Sequence, residues 1–123
     1  MKPTNNAVNA DTAPTVYLHR EPIDFRRQIN GLSLIVQEQL ALDPFSGSLF
    51  VFVNRSRSAL KILYYERNGF CLWLKKLERD KFAWPKHLSS DVVTLSSDEL
   101  QWLLQGFDLW RHSPHQRLHY RAA

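Results

Sequence analysis

Between Leu49 and Leu77 the chain runs apolar in three blocks, Leu49 to Asn54, Ala59 to Glu66 and Phe70 to Leu77, separated by short polar loops. Their content of valine, isoleucine, leucine and aromatic residues predicts three β-strands, and the short loops predict an antiparallel meander. Asn68-Gly69 is the strongest hairpin signal, because both residue types tolerate the positive φ of a type I′ turn. With those two at the centre of the turn, Arg67 faces Phe70 and the register follows. Tyr64 then meets Trp73, Leu60 meets Leu77, Tyr65 meets Leu72, Leu63 meets Leu74, and Lys61 meets Lys76. Directly opposed lysines repel, so either an anion sits between them or the register differs.

Upstream, Val16, Tyr17 and Leu18 predict a short strand ending at Arg20, before the Glu21-Pro22 turn. A helix is expected from Asp24, an N-cap residue type, to Ala41. Phe25, Ile29, Leu32, Val36 and Leu40 fall within a stripe about 80° wide, with Arg26 and Arg27 projecting away from it. Gly31 in mid-helix costs about 1 kcal/mol against alanine, which points to close approach to the sheet. Asp43-Pro44 ends the helix, since the residue before proline is pushed out of the helical region. Downstream, Glu78-Arg79-Asp80-Lys81 reads as an exposed turn before Phe82-Ala83-Trp84, which Pro85 ends. Val92 to Leu95 predicts another strand. Ser96 and Glu99 make a capping-box pattern for a second helix that Gly106 terminates. Its apolar stripe is Leu100, Leu103, Leu104 and Phe107, with Trp102 about 160° from the stripe's centre, on the solvent side.

These elements predict an α+β domain: an antiparallel β-meander of three or more strands packed against two helices, spanning residues 15–110. Residues 1–14 are small, polar and proline-bearing and read as a disordered tail. Residues 111–123 read as a basic, histidine-rich flexible tail. No apolar run approaches the ~20 residues that cross a bilayer, and the N-terminus lacks a signal-peptide pattern. With Cys71 as the single cysteine, no internal disulfide forms and the cytoplasm is the expected compartment.

Charge changes the picture more than composition does. The net charge is +4 and the pI about 9.5, favouring an acidic partner. Between Arg55 and Lys86 nine cations face three anions, and nine of the fifteen aromatics lie between Phe45 and Trp84. Cations displace counterions from phosphates and aromatic faces stack on bases, although Phe50, Phe52, Tyr64 and Trp73 are expected mainly in the core. Catalytic chemistry has little to stand on. The carboxylates sit at expected caps, turns and strand ends, Cys71 lies in mid-strand, and no glycine-rich phosphate loop exists. His112, His115 and His119, at spacings of three and four, could share a helix face and bind zinc or nickel, but read as part of the terminal tail.

A series of short motifs in order carries a resemblance: Asp24-Phe25-Arg26-Arg27, Asn30-Gly31-Leu32, Asp43-Pro44-Phe45-Ser46-Gly47 running into Leu49-Phe50-Val51-Phe52, Lys61-Ile62-Leu63-Tyr64-Tyr65, Gly69-Phe70-Cys71-Leu72-Trp73, Lys76-Leu77-Glu78-Arg79 and Phe82-Ala83-Trp84-Pro85. Over residues 16–110 the sequence resembles the TnpB-like accessory proteins of the insertion sequence 66 family of bacterial transposable elements. It departs at Asn30, where the family usually has aspartate, and at Asn54-Arg55-Ser56-Arg57, which replaces a more arginine-rich loop. The resemblance implies an accessory role in transposition beside a separate transposase, and supplies no catalytic residues.

The sequence therefore leads to a non-enzymatic accessory protein, without cofactor or metal, that binds transposon-end DNA or the transposase–DNA complex. Arg26, Arg27, Arg55, Arg57, Lys61, Lys76, Arg79 and Lys81 are the expected nucleic-acid contacts, and Trp84 and Trp102 the expected stacking or partner residues. The alternative is a protein–protein adapter that contacts the transposase without touching DNA, drawing on Trp102, Phe45 and Trp84. A third class is a small metal-dependent enzyme using the histidine tail.

Overall fold

The computed structural model describes residues 13–111. The expectations for the two tails, including the His112, His115 and His119 trio, lie outside the described residues. Five strands, β1 (Val16–His19), β2 (Leu49–Val53), β3 (Ala59–Glu66), β4 (Gly69–Lys76) and β5 (Val92–Leu95), form one sheet in the order β4-β3-β2-β1-β5. The expected meander is present as β2-β3-β4. The sheet is extended by β1, which runs parallel to β2, and by β5, antiparallel to β1. A parallel pair needs a long crossover, and helix α1 (Ile29–Leu34) lies within it.

Both faces of the sheet are covered, so the domain has two apolar layers. On one face Val16, Leu18, Val51, Leu60 and Ile62 pack with Leu100, Leu103 and Leu104 of α2 (Ser97–Leu104), with Phe82 and Trp84 closing the layer. On the other face Phe50, Phe52 and Leu63 meet Ile23, Leu32, Ile35 and Val36. Every residue of β2 is buried, as expected of a central strand with neighbours on both edges and layers on both faces.

The first helix is much shorter than its apolar stripe suggests. Residues 24–27 form a turn in which the Asp24 carboxylate accepts from the Arg26 N–H at 2.9 Å and the Arg27 N–H donates to the Asp24 carbonyl. In a helix starting at Asp24, the carbonyls of Phe25 and Arg27 would accept from the fourth residue along. Here both accept from the Lys61 ammonium instead, and regular helix begins at Ile29. After Leu34 it widens into a π-helix, Ile35–Gln39, and ends where Ala41 takes φ 55°. Gly31 does not abut the sheet: a Cβ there would meet the side chain of Arg27 at 3.4 Å.

The β3–β4 register also differs from expectation. Glu66 faces Gly69, Tyr65 faces Phe70, Tyr64 faces Cys71 and Lys61 faces Leu74. The turn residues are Arg67 and Asn68, with Arg67 at φ 59°, a conformation costing a non-glycine residue about 1 kcal/mol. Offsetting it, Tyr65 and Phe70 become cross-strand neighbours with ring centroids 5.1 Å apart, and Phe45 joins both at the same distance. Each partner is displaced by two positions, so every side chain keeps its face. The opposition of Lys61 and Lys76 disappears, and with it any need for an anion between them.

Helix α2 follows its sequence signals closely. Ser96 and Glu99 complete both halves of the capping box. Gly106, at φ 99°, donates to the Leu103 carbonyl while Phe107 donates to that of Trp102, the paired bonds of a Schellman ending. The turn carries Phe107 out of the expected stripe, leaving it 58% exposed. Two substitutions gauge the fold by urea denaturation. Phe52→Ala, in the two-sided core, is expected to lower stability by about 3–5 kcal/mol, and Ser96→Ala by about 1 kcal/mol. A cost below ~0.5 kcal/mol for Ser96→Ala would mean that the capping box does not hold the helix start.

Candidate nucleic-acid interface

Three loops leave the sheet at the end where β1, β2 and β4 finish, and backbone hydrogen bonds tie them together. Asn54 organises the β2–β3 loop: its side-chain oxygen accepts from the N–H groups of Ser58 and Ala59, and its amide donates to the Ser58 hydroxyl. Arg57, at φ 61°, donates its N–H to the Asn54 carbonyl. Arg55 is thereby left exposed and Arg57 half-buried. The chain leaving β4 folds over this loop, with Leu77 N–H on the Ser58 carbonyl and Phe82 N–H on the Arg57 carbonyl, both at 2.8 Å. Lys76, Arg79 and Lys81 flank those contacts and are exposed. On the other side Ile23 bridges to Asn54 in parallel and donates to the Val53 carbonyl at 2.9 Å, bringing in the turn that bears the exposed Arg26 and Arg27.

Seven of the eight expected cationic contacts therefore gather at one end of the sheet. Arg67 stands at the opposite end, in the β3–β4 turn. Within the basic end, Arg26 grips Asp24 in an ion pair of 2.6 Å. The side-chain and backbone hydrogen bonds from Arg26, with a smaller contribution from the charge of Arg55, hold the Asp24 carboxyl down to about 2. The pair is complete above the ordinary carboxylate range near 3.8 and is lost as pH falls through about 2. Residues 26–31 and Leu72 line an open groove of about 560 Å³ beside this turn.

Lys61 is a correction. Its side chain is buried on the α1 face, with the ammonium donating to the carbonyls of Phe25 at 2.9 Å and Arg27 at 2.8 Å, and 4.7 Å from the Phe25 ring centroid. It is not available to a phosphate; it holds in place the turn that presents Arg26 and Arg27. The sequence signal was its parity: Lys61 shares a strand face with Leu63, which is inward. Trp84 is a second correction. It is buried, its indole N–H donates to the Arg20 carbonyl at 2.6 Å, and its ring tilts against Trp110 at 6.5 Å, so it has no face open for a base. Trp102 is 42% exposed on α2, and none of the hydrogen bonds gathering the cationic loops involves it. Arg20, not among the expected contacts, also lies at the basic end, but its guanidinium is committed to the Ser90 carbonyl at 2.6 Å and to Glu21 at 3.5 Å. Lys75 is likewise committed, to the Leu104 carbonyl at the end of α2, where a cation suits the helix dipole.

Among the described residues no three histidine, cysteine or acidic side chains converge to hold a metal ion, and no helix is long and apolar enough to cross a membrane. The site is thus a cationic end on a small α+β domain. A sequence model of the family described as IS66 Orf2-like protein matches residues 14–114, and the chain belongs to that family. Its role is accordingly an accessory one associated with transposition of an insertion sequence. Two similar proteins from Sinorhizobium fredii are the uncharacterized protein y4hO, 43% identical over 89 residues covering 72% of this chain and 76% of that one, and the uncharacterized protein y4jC, 35% identical over 91 residues covering 74% and 77%. No solved structure matches the chain.

The assignment of Lys61 is open to measurement. Lys61→Met leaves two carbonyls without their donor and is expected to cost about 2 kcal/mol at neutral pH. Burial lowers the Lys61 pKa from its ordinary 10.5. Between the folded and unfolded values the unfolded chain holds a proton that the native one has released, so native stability rises with pH across that window. The stability difference between the native protein and Lys61→Met should widen as pH approaches 10.5; a gap that narrows there contradicts a desolvated ammonium.

Proposed function

We propose that this protein assists transposition by binding the DNA of its element's ends, or the transposase–DNA complex, through the basic end of the sheet, in the cytoplasm and without catalysing a reaction. Arg26, Arg27, Arg55, Arg57, Lys76, Arg79 and Lys81 contact phosphates. One observation carries this reading: the backbone bonds from Ile23, Leu77 and Phe82 to residues 53–58 bring three separate cationic loops to one place. Scattered solubilising charges need no such convergence, whereas a phosphate backbone is met by cations presented together.

A second reading rests on Trp102 and Phe107, 42% and 58% exposed around the α2 ending. Exposed aromatics anchor protein interfaces, and an adapter that contacts the transposase without DNA would use them. Co-purification with the transposase after nuclease treatment separates the two readings. Persistence of the complex, with its loss in Trp102→Ala, favours the adapter.

For DNA binding, titration of an element-end duplex at about 50 and 200 mM salt should give a log–log slope of about −0.9 per phosphate contact. Combined replacement of Arg55, Arg57, Arg79 and Lys81 by alanine should flatten that slope by about three to four and weaken binding to any sequence. Arg67→Ala, at the far end of the sheet, should leave it unchanged. Failure to bind at about 50 mM salt, or an affinity indifferent to salt, removes the electrostatic reading.

A further inference from the structure

The ion pair of Asp24 and Arg26 has a geometry that charge alone does not require. Both Asp24 oxygens are engaged by the one residue: Oδ1 accepts from the Arg26 backbone N–H at 2.9 Å, Arg26 Nε lies 3.2 Å from Oδ1 and 2.9 Å from Oδ2, and Nη2 donates to Oδ2 at 2.6 Å. The carboxylate therefore meets the guanidinium from the side, along its Nε and Nη2 edge. An end-on grip on Nη1 and Nη2 would occupy the fork that matches two neighbouring anionic oxygens. Side-on, that fork stays open: both N–H groups of Nη1 and the outer one of Nη2 face away from Asp24, and no other hydrogen bond among the described residues reaches them. The side chain that carries them is 91% exposed. Arg20 and Lys75, by contrast, have their donors turned to backbone carbonyls.

The carboxylate is itself fixed. The Arg26 N–H on Oδ1 closes a local turn, the Arg27 N–H donates to the Asp24 carbonyl, and Lys61 holds the carbonyls of Phe25 and Arg27. A chain of hydrogen bonds thus runs from a buried ammonium to an exposed guanidinium. The bonds from Arg26 do most to hold the Asp24 carboxyl at about 2, and the charge of Arg55 adds to them, so the carboxylate stays ionised at neutral pH. We propose that Asp24 is a positioning residue for DNA: it locks Arg26 so that the free fork of Nη1 and Nη2 receives the two non-bridging oxygens of one phosphodiester. This rests on the reading of the basic end as a DNA surface, and it separates one prearranged contact from the cations around it. An exposed arginine otherwise loses rotamer freedom when it binds; Arg26 is ordered beforehand. A phosphate suits the fork better than a base edge does. Bases in the major groove are read by a helix or β-ribbon that enters it, whereas residues 24–27 form a tight turn at the end of a sheet.

Removing an anion from a cationic surface should, on charge alone, tighten DNA binding. Positioning predicts the opposite. Asp24→Asn keeps an acceptor for the Arg26 N–H, and so the turn, and should weaken binding to an element-end duplex about three- to tenfold with a near-native melting curve. Arg26→Lys keeps the charge but loses the fork; it should weaken binding by a similar factor in the native chain and hardly at all in the Asp24→Asn background. Both losses should be the same on a scrambled duplex of equal length, because a phosphate carries no sequence information. In the free chain, nitrogen relaxation at Arg26 Nε should report an ordered guanidinium that becomes mobile in Asp24→Asn. Binding that is unchanged or tighter in Asp24→Asn overturns the proposal, as does an equal cost of Arg26→Lys in both backgrounds or an Arg26 Nε as mobile as that of Arg27. A loss confined to the element-end sequence overturns the phosphate assignment. A native chain that binds no DNA at about 50 mM salt removes the reading of the basic end together with this inference, whereas salt-dependent native binding to which Asp24→Asn is indifferent removes the positioning role alone.

Discussion

The Lys61 ammonium, buried between the sheet and the turn at residues 24–27, is the constraint on which the α1 side of the domain depends. A charge taken from water must be met by fixed dipoles, and here two backbone carbonyls and an aromatic face meet it. Those carbonyls belong to Phe25 and Arg27, so satisfying the lysine holds residues 24–28 out of the helix. The same bonds set the direction in which Arg26 and Arg27 leave the surface. Lys61, expected from sequence as a phosphate contact, is instead the anchor of the turn that carries Arg26 and Arg27.

Topology accounts for the remainder of the basic end. Because β1 runs parallel to β2, the chain leaves both strands at the same end of the sheet, where β4 also finishes. Residues 20–27, 54–58 and 77–82 are distant in sequence yet meet there through Ile23, Leu77 and Phe82. A plain meander would have sent the connections to alternate ends. The parallel strand thus determines which cations become neighbours, and the hydrogen bonds of Asn54 give the central loop a fixed shape.

Much of this was legible in the chain, and the misses have physical causes. The three meander strands β2, β3 and β4, together with β5, the capping box and the glycine ending of α2, follow from local signals that the tertiary structure reinforces. The parallel placement of β1 left a quieter sign: Leu49-Phe50-Val51-Phe52-Val53 is apolar without alternation, the mark of a strand covered on both faces. Asn68-Gly69 misled because turn propensity competes with cross-strand contacts, and the Tyr65, Phe70 and Phe45 cluster favours a register that puts Arg67 in the strained position. The length of α1 was overestimated because an apolar stripe does not reveal that a distant lysine takes two of its carbonyls. At the basic end, clustering of cations along the sequence pointed to loops that the fold ties together. Burial decided what sequence could not, withdrawing Lys61 and Trp84 from the surface.

Amide chemical-shift mapping with an element-end duplex would locate the surface that meets DNA as well as detect the binding. DNA binding at the basic end would concentrate perturbations in residues 24–27, 54–58 and 76–82 and leave the β3–β4 turn at Arg67 and Asn68 unaffected. Perturbations centred on that turn or on α2, with residues 54–58 silent, would contradict it.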